Sequence, residues 1–248
     1  MKKVILITGG SDGIGASTAY LAFQKDYTVC INYRQNQVSA NKIVTEIKNR
    51  GGRAFAFQAD ISNEQQVEEL FKTIDSQVGT ISALVNNAGI IEPQQKLVDI
   101  TTERLQKVFA TNIFGSFFCA REAIKRMSNK NNGHGGSIVN ISSMASKYGS
   151  PFEYIDYAST KGAIDTLTIV LSKEVAEENI RVNAVRPGII DTGIHSKAGE
   201  ANRVDRMKEQ IPMKRGGHPD EIAKTILWLL SDEASYITGT IIDVSGGR

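Results

Sequence analysis

The chain has 248 residues, 41% of them hydrophobic and 23% charged, with a formal net charge of +2. That balance excludes a disordered or fibrous chain, and it leaves no long-range pull toward nucleic acid or an anionic membrane. Two cysteines and three scattered histidines exclude a disulfide scaffold and a closely spaced metal site. The start Met1-Lys2-Lys3 is basic and an apolar run follows, as in a secretory leader. The run is too short for one, and it ends in glycines, so residues 4–8 read as a first strand.

Further strands are expected at 28–32, 54–58, 83–86, 137–142, 181–186 and 240–244. They are rich in Val and Ile, and several are apolar throughout, as strands covered on both faces should be. Between them lie helical patterns at 15–25, 38–50, 64–77, 102–127, 157–178 and 219–230. Asn63 and Thr101 stand as N-caps, and Gly51 and Gly79 as stops. The alternation predicts an α/β fold, a doubly wound parallel sheet of about seven strands with helices on both faces. No linker divides residues 1–248, which read as one domain. Residues 128–136 are Asn- and Gly-rich, a surface loop. Residues 189–210 follow a Pro-Gly pair at a strand end. They read equally as a mobile loop or as a lid over a ligand crevice. His134, His195 and His218 sit in loop-like text and read as solvated.

Three motifs carry chemistry. Thr8-Gly9-Gly10-Ser11-Asp12-Gly13-Ile14-Gly15 falls between the first strand and the first helix. Glycine tolerates positive φ and close backbone approach, and the helix beyond offers free N–H groups to a pyrophosphate. Tyr157 and Lys161 share a helix face at i,i+4. An ammonium beside a phenol favours the phenolate, which makes tyrosine a usable acid–base group. Alone, this spacing is commonplace. Asn140-Ile141-Ser142-Ser143 ends a buried strand, where a hydroxyl meets whatever binds at the sheet edge. No histidine is placed to activate these serines and no G-x-S-x-G elbow is present, which argues against a hydrolase. Asn86-Asn87-Ala88-Gly89 ends another strand in the same manner.

Taken together and in order, these segments resemble the classical short-chain dehydrogenase/reductase family over almost the whole chain. The nearest likeness is to bacterial sugar-dehydrogenase-like and uncharacterised oxidoreductases. The resemblance implies a single-domain Rossmann fold and hydride transfer between a nicotinamide and a carbonyl or secondary alcohol, without a metal. It implies Tyr157 as general acid/base and Lys161 as the group that lowers its pKa and holds the nicotinamide ribose. Ser143 would hold the substrate oxygen, and Asn112 would order a relay water. The cofactor would be bordered by Gly9, Ser11, Asp12, Gly13 and Ile14, and by Asn32, Tyr33 and Arg34. Asp60 and Ile61 would meet the adenine, followed by Asn87, Ala88 and Gly89. Pro187, Gly188, Ile190 and Thr192 would close over the nicotinamide, while Asn86 braces the sheet.

Asn32-Tyr33-Arg34 carries no carboxylate to repel a 2′-phosphate, and Arg34 suits one, which favours NADP(H). Asp12, where many NADP-using relatives carry a basic residue, keeps NAD(H) as the alternative. For the substrate, a 3-oxoacyl-carrier-protein reductase and a sugar or polyol dehydrogenase both stand. A nucleotide sensor without turnover is the non-enzyme reading. Glu174, Glu177 and Glu178 would repel an acidic carrier, with Lys125, Arg126 and Lys130 as an offset. The family habit implies a cytoplasmic homotetramer, with one interface on the 102–127 and 157–178 helices, which carry surplus apolar residues, and another on the last strand and the 219–230 helix.

Overall fold

The computed structural model describes residues 3–248, so Met1 and Lys2 lie outside it. Its strands are β1 Val4–Ile7, β2 Thr28–Tyr33, β3 Ala54–Gln58, β4 Ala83–Asn86, β5 Gly136–Ile141, β6 Ile180–Pro187 and β7 Ile241–Val244. The helices are α1 Gly13–Phe23, α2 Gln37–Asn49, α3 Glu64–Gln77, α4 Thr102–Phe109, α5 Gly115–Met127, α6 Ala145–Tyr148, α7 Ile155–Glu174, α8 Ile194–Lys197, α9 Arg203–Met207 and α10 Pro219–Leu230. The strands form one sheet in the order β3-β2-β1-β4-β5-β6-β7, every neighbouring pair parallel. The chain leaves β1 toward β2 on one side and later returns through β4 on the other. That reversal opens a crevice beyond the carboxyl ends of β1 and β4.

Period-two alternation decides which side chain serves which layer. Ile5, Ile7, Val29 and Ile31 pack under α1, α2 and α10. Val4, Leu6 and Cys30 face the opposite layer with Phe71, Ile74, Cys119 and Ala123 of α3 and α5. Cys30 and Cys119 are both free and buried, and burial pushes each thiol up to about 12. Asn63 caps α3 by accepting from Gln66 N at 3.1 Å, and Thr101 caps α4 by accepting from Arg104 N at 3.3 Å. Gly51 and Gly79 take φ of +83° and +125° where their helices stop.

One expected element divides. The helix expected at 102–127 is interrupted by a π-helical turn, Ala110–Phe114, between α4 and α5. The hydrophobic period runs through it unbroken, so only the backbone reveals it. The turn brings Gly115 against Ile61, where an added Cβ would lie 2.6 Å from Ile61 Cδ1. It also buries Thr111 and Asn112. Such single π turns frequently mark functional positions. At the last of the expected helices of this half, α7 starts two residues early, at Ile155, and ends at Glu174; a 3₁₀ turn, Ala176–Glu178, follows.

A buried polar chain joins the sheet to α7. Asn86 Nδ2 of β4 donates to Asn140 Oδ1 of β5 at 3.0 Å, and Asn140 Nδ2 donates to Thr168 Oγ1 of α7 at 2.9 Å. Asn86 braces the sheet, as the sequence suggests. Since all three groups are buried, the chain fixes how far α7 slides along the sheet. Asn140→Ala is expected to cost about 2 kcal/mol, because Asn86 and Thr168 each lose a buried partner. Urea unfolding at fixed protein concentration checks it; an unchanged midpoint would deny the chain that role.

Candidate active site

The carboxyl ends of the strands open into a cleft of about 810 Å³. Its floor is the turn between β1 and α1. Gly9 and Gly13 take φ of +59° and +51°, a region costly for any other residue. A Cβ on Gly9 would sit 2.9 Å from Ala88 Cα, and one on Gly15 would sit 2.7 Å from Asn87 Nδ2. Asp12, at the N-cap of α1, makes no side-chain cap bond, and the first turn holds no acidic residue. The N–H groups of that turn remain available to an anion. Glycine floor, helix end and cleft volume together fit a dinucleotide.

The expected cofactor residues all line this cleft: Gly9, Ser11, Asp12, Gly13, Ile14, Asn32, Tyr33, Arg34, Asp60, Ile61, Asn87, Ala88, Gly89, Pro187, Gly188, Ile190 and Thr192. Ser143, Tyr157 and Lys161 line it as well. Some of these side chains are engaged elsewhere. Asn32 is buried and donates to Ala59 O at 3.0 Å, so it braces the strand ends instead of facing a ribose. Asn87 donates to Thr8 O and Gly9 O at 2.9 and 3.1 Å and holds the glycine turn in place. Asp60 Oδ1 accepts from Ser62 N and Oγ. Arg34 is exposed, and its ion-pair contact among the described residues is Asp60, at 3.8 Å.

Lys161, 4% exposed, donates to Ile141 O at 2.7 Å and lies 5.5 Å from the centre of the Tyr157 ring. Burial lowers its ammonium to about 8, against the opposing charge of Asp165 one helical turn on. Tyr157 departs from the expected lowering. Burial raises its phenol above the usual value, while a hydrogen bond with Ser143 and the charge of Arg203 act the other way. Desolvation outweighs both.

Asn112 does not line the cleft. Its amide accepts from Ile90 N at 2.8 Å and donates to Ile90 O and Thr160 Oγ1 at 3.0 and 3.1 Å. With those bonds it clamps the segment after β4 to the helix that carries Tyr157 and Lys161. Its side-chain amide is thus engaged by protein partners.

The segment 189–210 folds as α8 and α9 over this cleft. Thr192 packs on the glycine turn, 3.2 Å from where a Gly13 Cβ would stand, and Lys197 forms an ion pair with Asp12. His195 departs from the solvated reading. It lines the cleft and bonds Ile190 O at 3.1 Å, and its Nδ1 is buried without a partner. Burial and Arg203 lower its pKa, so the ring stays neutral. His134 is exposed, and His218 caps α10 by accepting from Asp220 N at 3.3 Å. Arg203 and Arg206 reach Glu153 and Glu200 at the substrate end. Within this segment the sequence pointed to Ile190 and Thr192 but not to Arg203 or Arg206, because ion pairs between positions some fifty residues apart have no sequence period.

A family model described as enoyl-(acyl carrier protein) reductase matches residues 9–248. An uncharacterised oxidoreductase of Escherichia coli K12, YgfF, is 55% identical over 99% of both chains. The 3-oxoacyl-[acyl-carrier-protein] reductase FabG of Staphylococcus epidermidis is 37% identical over 100% of this chain and 99% of its own. Among solved structures, a 3-ketoacyl-(acyl-carrier-protein) reductase of Brucella melitensis complexed with NADH superposes with a TM-score of 0.91 at 31% identity. That match covers 99% of this chain and 98% of the other. With its all-parallel seven-stranded sheet and a glycine-floored cleft at the switch between β1 and β4, the chain belongs to the classical short-chain dehydrogenase/reductase family of nicotinamide-dependent oxidoreductases.

Proposed function

We propose that the protein is an NADP(H)-dependent reductase of small polar ketones, running as a secondary-alcohol dehydrogenase in reverse. The observation that carries this reading is that Ser143, Tyr157 and Lys161 together line a cleft floored by glycines for a dinucleotide. When bound, the nicotinamide supplies the hydride. Ser143 donates to the carbonyl oxygen and polarises it. Tyr157 then gives its proton to that oxygen as charge develops there. A phenol holds its proton at neutral pH, so it can give that proton to an oxygen that gains charge, which suits the reductive direction. Lys161 holds the ribose side of the cofactor and returns positive charge to the site. The segment 189–210 acts as the lid of this one domain, excluding water above the reacting atoms.

Arg34 supports NADP(H). Its guanidinium is open to a 2′-phosphate, and its distant, exposed contact with Asp60 is weak. The opposing charge at Asp12 is taken up by Lys197. The NADH in the Brucella relative keeps NAD(H) as the alternative. The relatives' names favour a second substrate class, 3-oxoacyl groups on an acidic carrier. Against it, the cations near the α5 end are already engaged: Lys125 and Arg126 with Glu122, Arg126 with Asp75, and Lys130 with Glu178. The cleft wall also carries the ion pairs of Arg203 with Glu153 and Glu200, polar groups suited to a small polar substrate, beside apolar residues such as Met144, Tyr148 and Met207. In the cytoplasm the free thiols Cys30 and Cys119 stay reduced.

Assembly follows from the surface. Phe114 and Phe117 around the start of α5, and Ile155, Ile169 and Val170 of α7, are exposed. Val108 and Leu171 are buried in the monomer, so the surplus apolar face is narrower than the sequence alone suggests. Pairing these helix faces across one two-fold axis, and α10 with β7 across another, gives the proposed homotetramer.

Turnover is to be screened with ketones, hydroxyketones and acetoacetyl thioesters. Tyr157→Phe is expected to keep cofactor binding and lose about 10²–10⁴-fold in turnover; full turnover in that variant would end the mechanism. Fluorescence titration should show NADPH bound more tightly than NADH, and Arg34→Ala should lose about tenfold for NADPH alone. An equal loss for both cofactors would remove Arg34 from the 2′-position. Light scattering should return about four times the chain mass, and a monomer would refute the assembly.

A further inference from the structure

We propose that Arg203 is a positioning residue for the acid–base step, so that seating of the segment 189–210 is coupled to the ionisation of Tyr157. The proposal rests on the reading of Tyr157 as the acid–base group.

Arg203 lies on α9 and is only 7% exposed, yet it lines the same cleft as Tyr157. Burying a guanidinium is costly, and a leucine or methionine would close a lid more cheaply. Here the cation is held in a built socket. Nη2 donates to Glu153 Oε2 at 2.7 Å and Nη1 to Glu200 Oε2 at 2.6 Å. The guanidinium stacks 4.9 Å over the Tyr154 ring. Glu153 and Tyr154 lead directly into α7, and Ala158 N bonds Tyr154 O at 2.9 Å. The cation is therefore docked on the first turn of the helix that presents Tyr157. Gln94 completes the socket by donating to Glu200 Oε2 at 2.8 Å.

The charges around Tyr157 come from several elements. Lys161 lies on its own helix, but its amine is turned to Ile141 O and is held near 8. His195 of α8 is kept neutral. Arg206 of α9 also pairs with Glu153 and Glu200, so two carboxylates balance two guanidiniums. Lys107 and Glu92, which also line the cleft, pair with each other. Arg203, buried in the cleft that Tyr157 lines and docked on Glu153 and Tyr154 at the start of α7, is a cation of the segment placed to oppose the effect of burial on the Tyr157 phenol. Unlike Lys161, it does not lose its proton at any working pH. Withdrawing α9 would take this charge away and leave only the hydrogen bond with Ser143 to oppose desolvation.

The test needs no substrate. Tyrosinate absorbance is followed against pH, and the profile of Tyr157→Phe is subtracted from that of the parent to isolate Tyr157. Near-UV circular dichroism verifies the fold at each pH. In an Arg203→Met background the Tyr157 midpoint is expected to move up by about one pH unit, or beyond the titratable range. Arg203→Lys should hold it near the parent value. Glu200→Gln weakens the socket but keeps the cation and removes a negative charge, so its midpoint should stay or fall. An unmoved midpoint in Arg203→Met overturns the proposal. So does an upward shift in Glu200→Gln that equals that of Arg203→Met, because loss of packing would then explain both. If Tyr157→Phe keeps full turnover with the ketone panel, the acid–base reading itself fails. If it loses turnover while the Arg203→Met midpoint is unmoved, only this coupling fails.

Discussion

The position of α7 along the sheet governs everything the site can do. Tyr157 and Lys161 face the cleft only if α7 sits at one height relative to the ends of β4 and β5. Apolar packing alone is tolerant of sliding, because one aliphatic surface fits another at several registers. The buried chain Asn86–Asn140–Thr168 removes that tolerance, since a slip of one turn would part Asn140 from Thr168 and leave a buried amide N–H group without its acceptor. Asn112 adds a second clamp, from the π turn to Ile90 on one side and Thr160 on the other. Two buried asparagines on different strands and a third on a distorted helix thus convert a generic α/β scaffold into a rigid frame for two reactive side chains.

Within that frame, burial and charge are set against each other. Lys161 is desolvated and loses part of its hold on its proton, and Tyr157 is desolvated and keeps its own more firmly. Each shift follows from a low-dielectric cleft, which also strengthens any hydrogen bond made to a substrate oxygen. The ion pairs at the substrate end belong to the same scheme. Glu153, Glu200, Arg203 and Arg206 satisfy one another, so the wall is polar without being charged overall. The pair between Asp12 and Lys197 does the same over the glycine turn. The two ends of the segment 189–210 are therefore held by electrostatics, at the dinucleotide floor and at the start of α7.

Much of this was legible in the residues. Alternating apolar strands and amphipathic helices predicted the parallel sheet, because burial on both faces demands apolar residues at every strand position. Asn63, Thr101, Gly51 and Gly79 marked helix ends because capping and positive φ are local demands. The glycine turn was readable for the same reason: Gly9 and Gly13 need no distant partner to require glycine. The π turn at 110–114 was not readable, since Thr111 and Asn112 keep the helical period while the backbone changes its hydrogen bonds. His195 read as solvated because nothing beside it in sequence reports that Ile190 O and Arg203 surround it.

Local chemistry thus determined the strands, the caps, the glycine floor and the family, because each depends on residues close together in the chain. The tertiary fold alone decided the roles of side chains whose partners are remote. Asn32 and Asn87 turned inward to brace the cleft, because their best acceptors, Ala59 O, Thr8 O and Gly9 O, come from neighbouring strand ends. Asp12 met Lys197, and Arg203 met Glu153, only once the segment 189–210 lay across the cleft. The direction of the Tyr157 shift belongs to the same class. An i,i+4 lysine promises a lowered phenol, but the enclosing cavity raises it, and enclosure is a property of the whole fold.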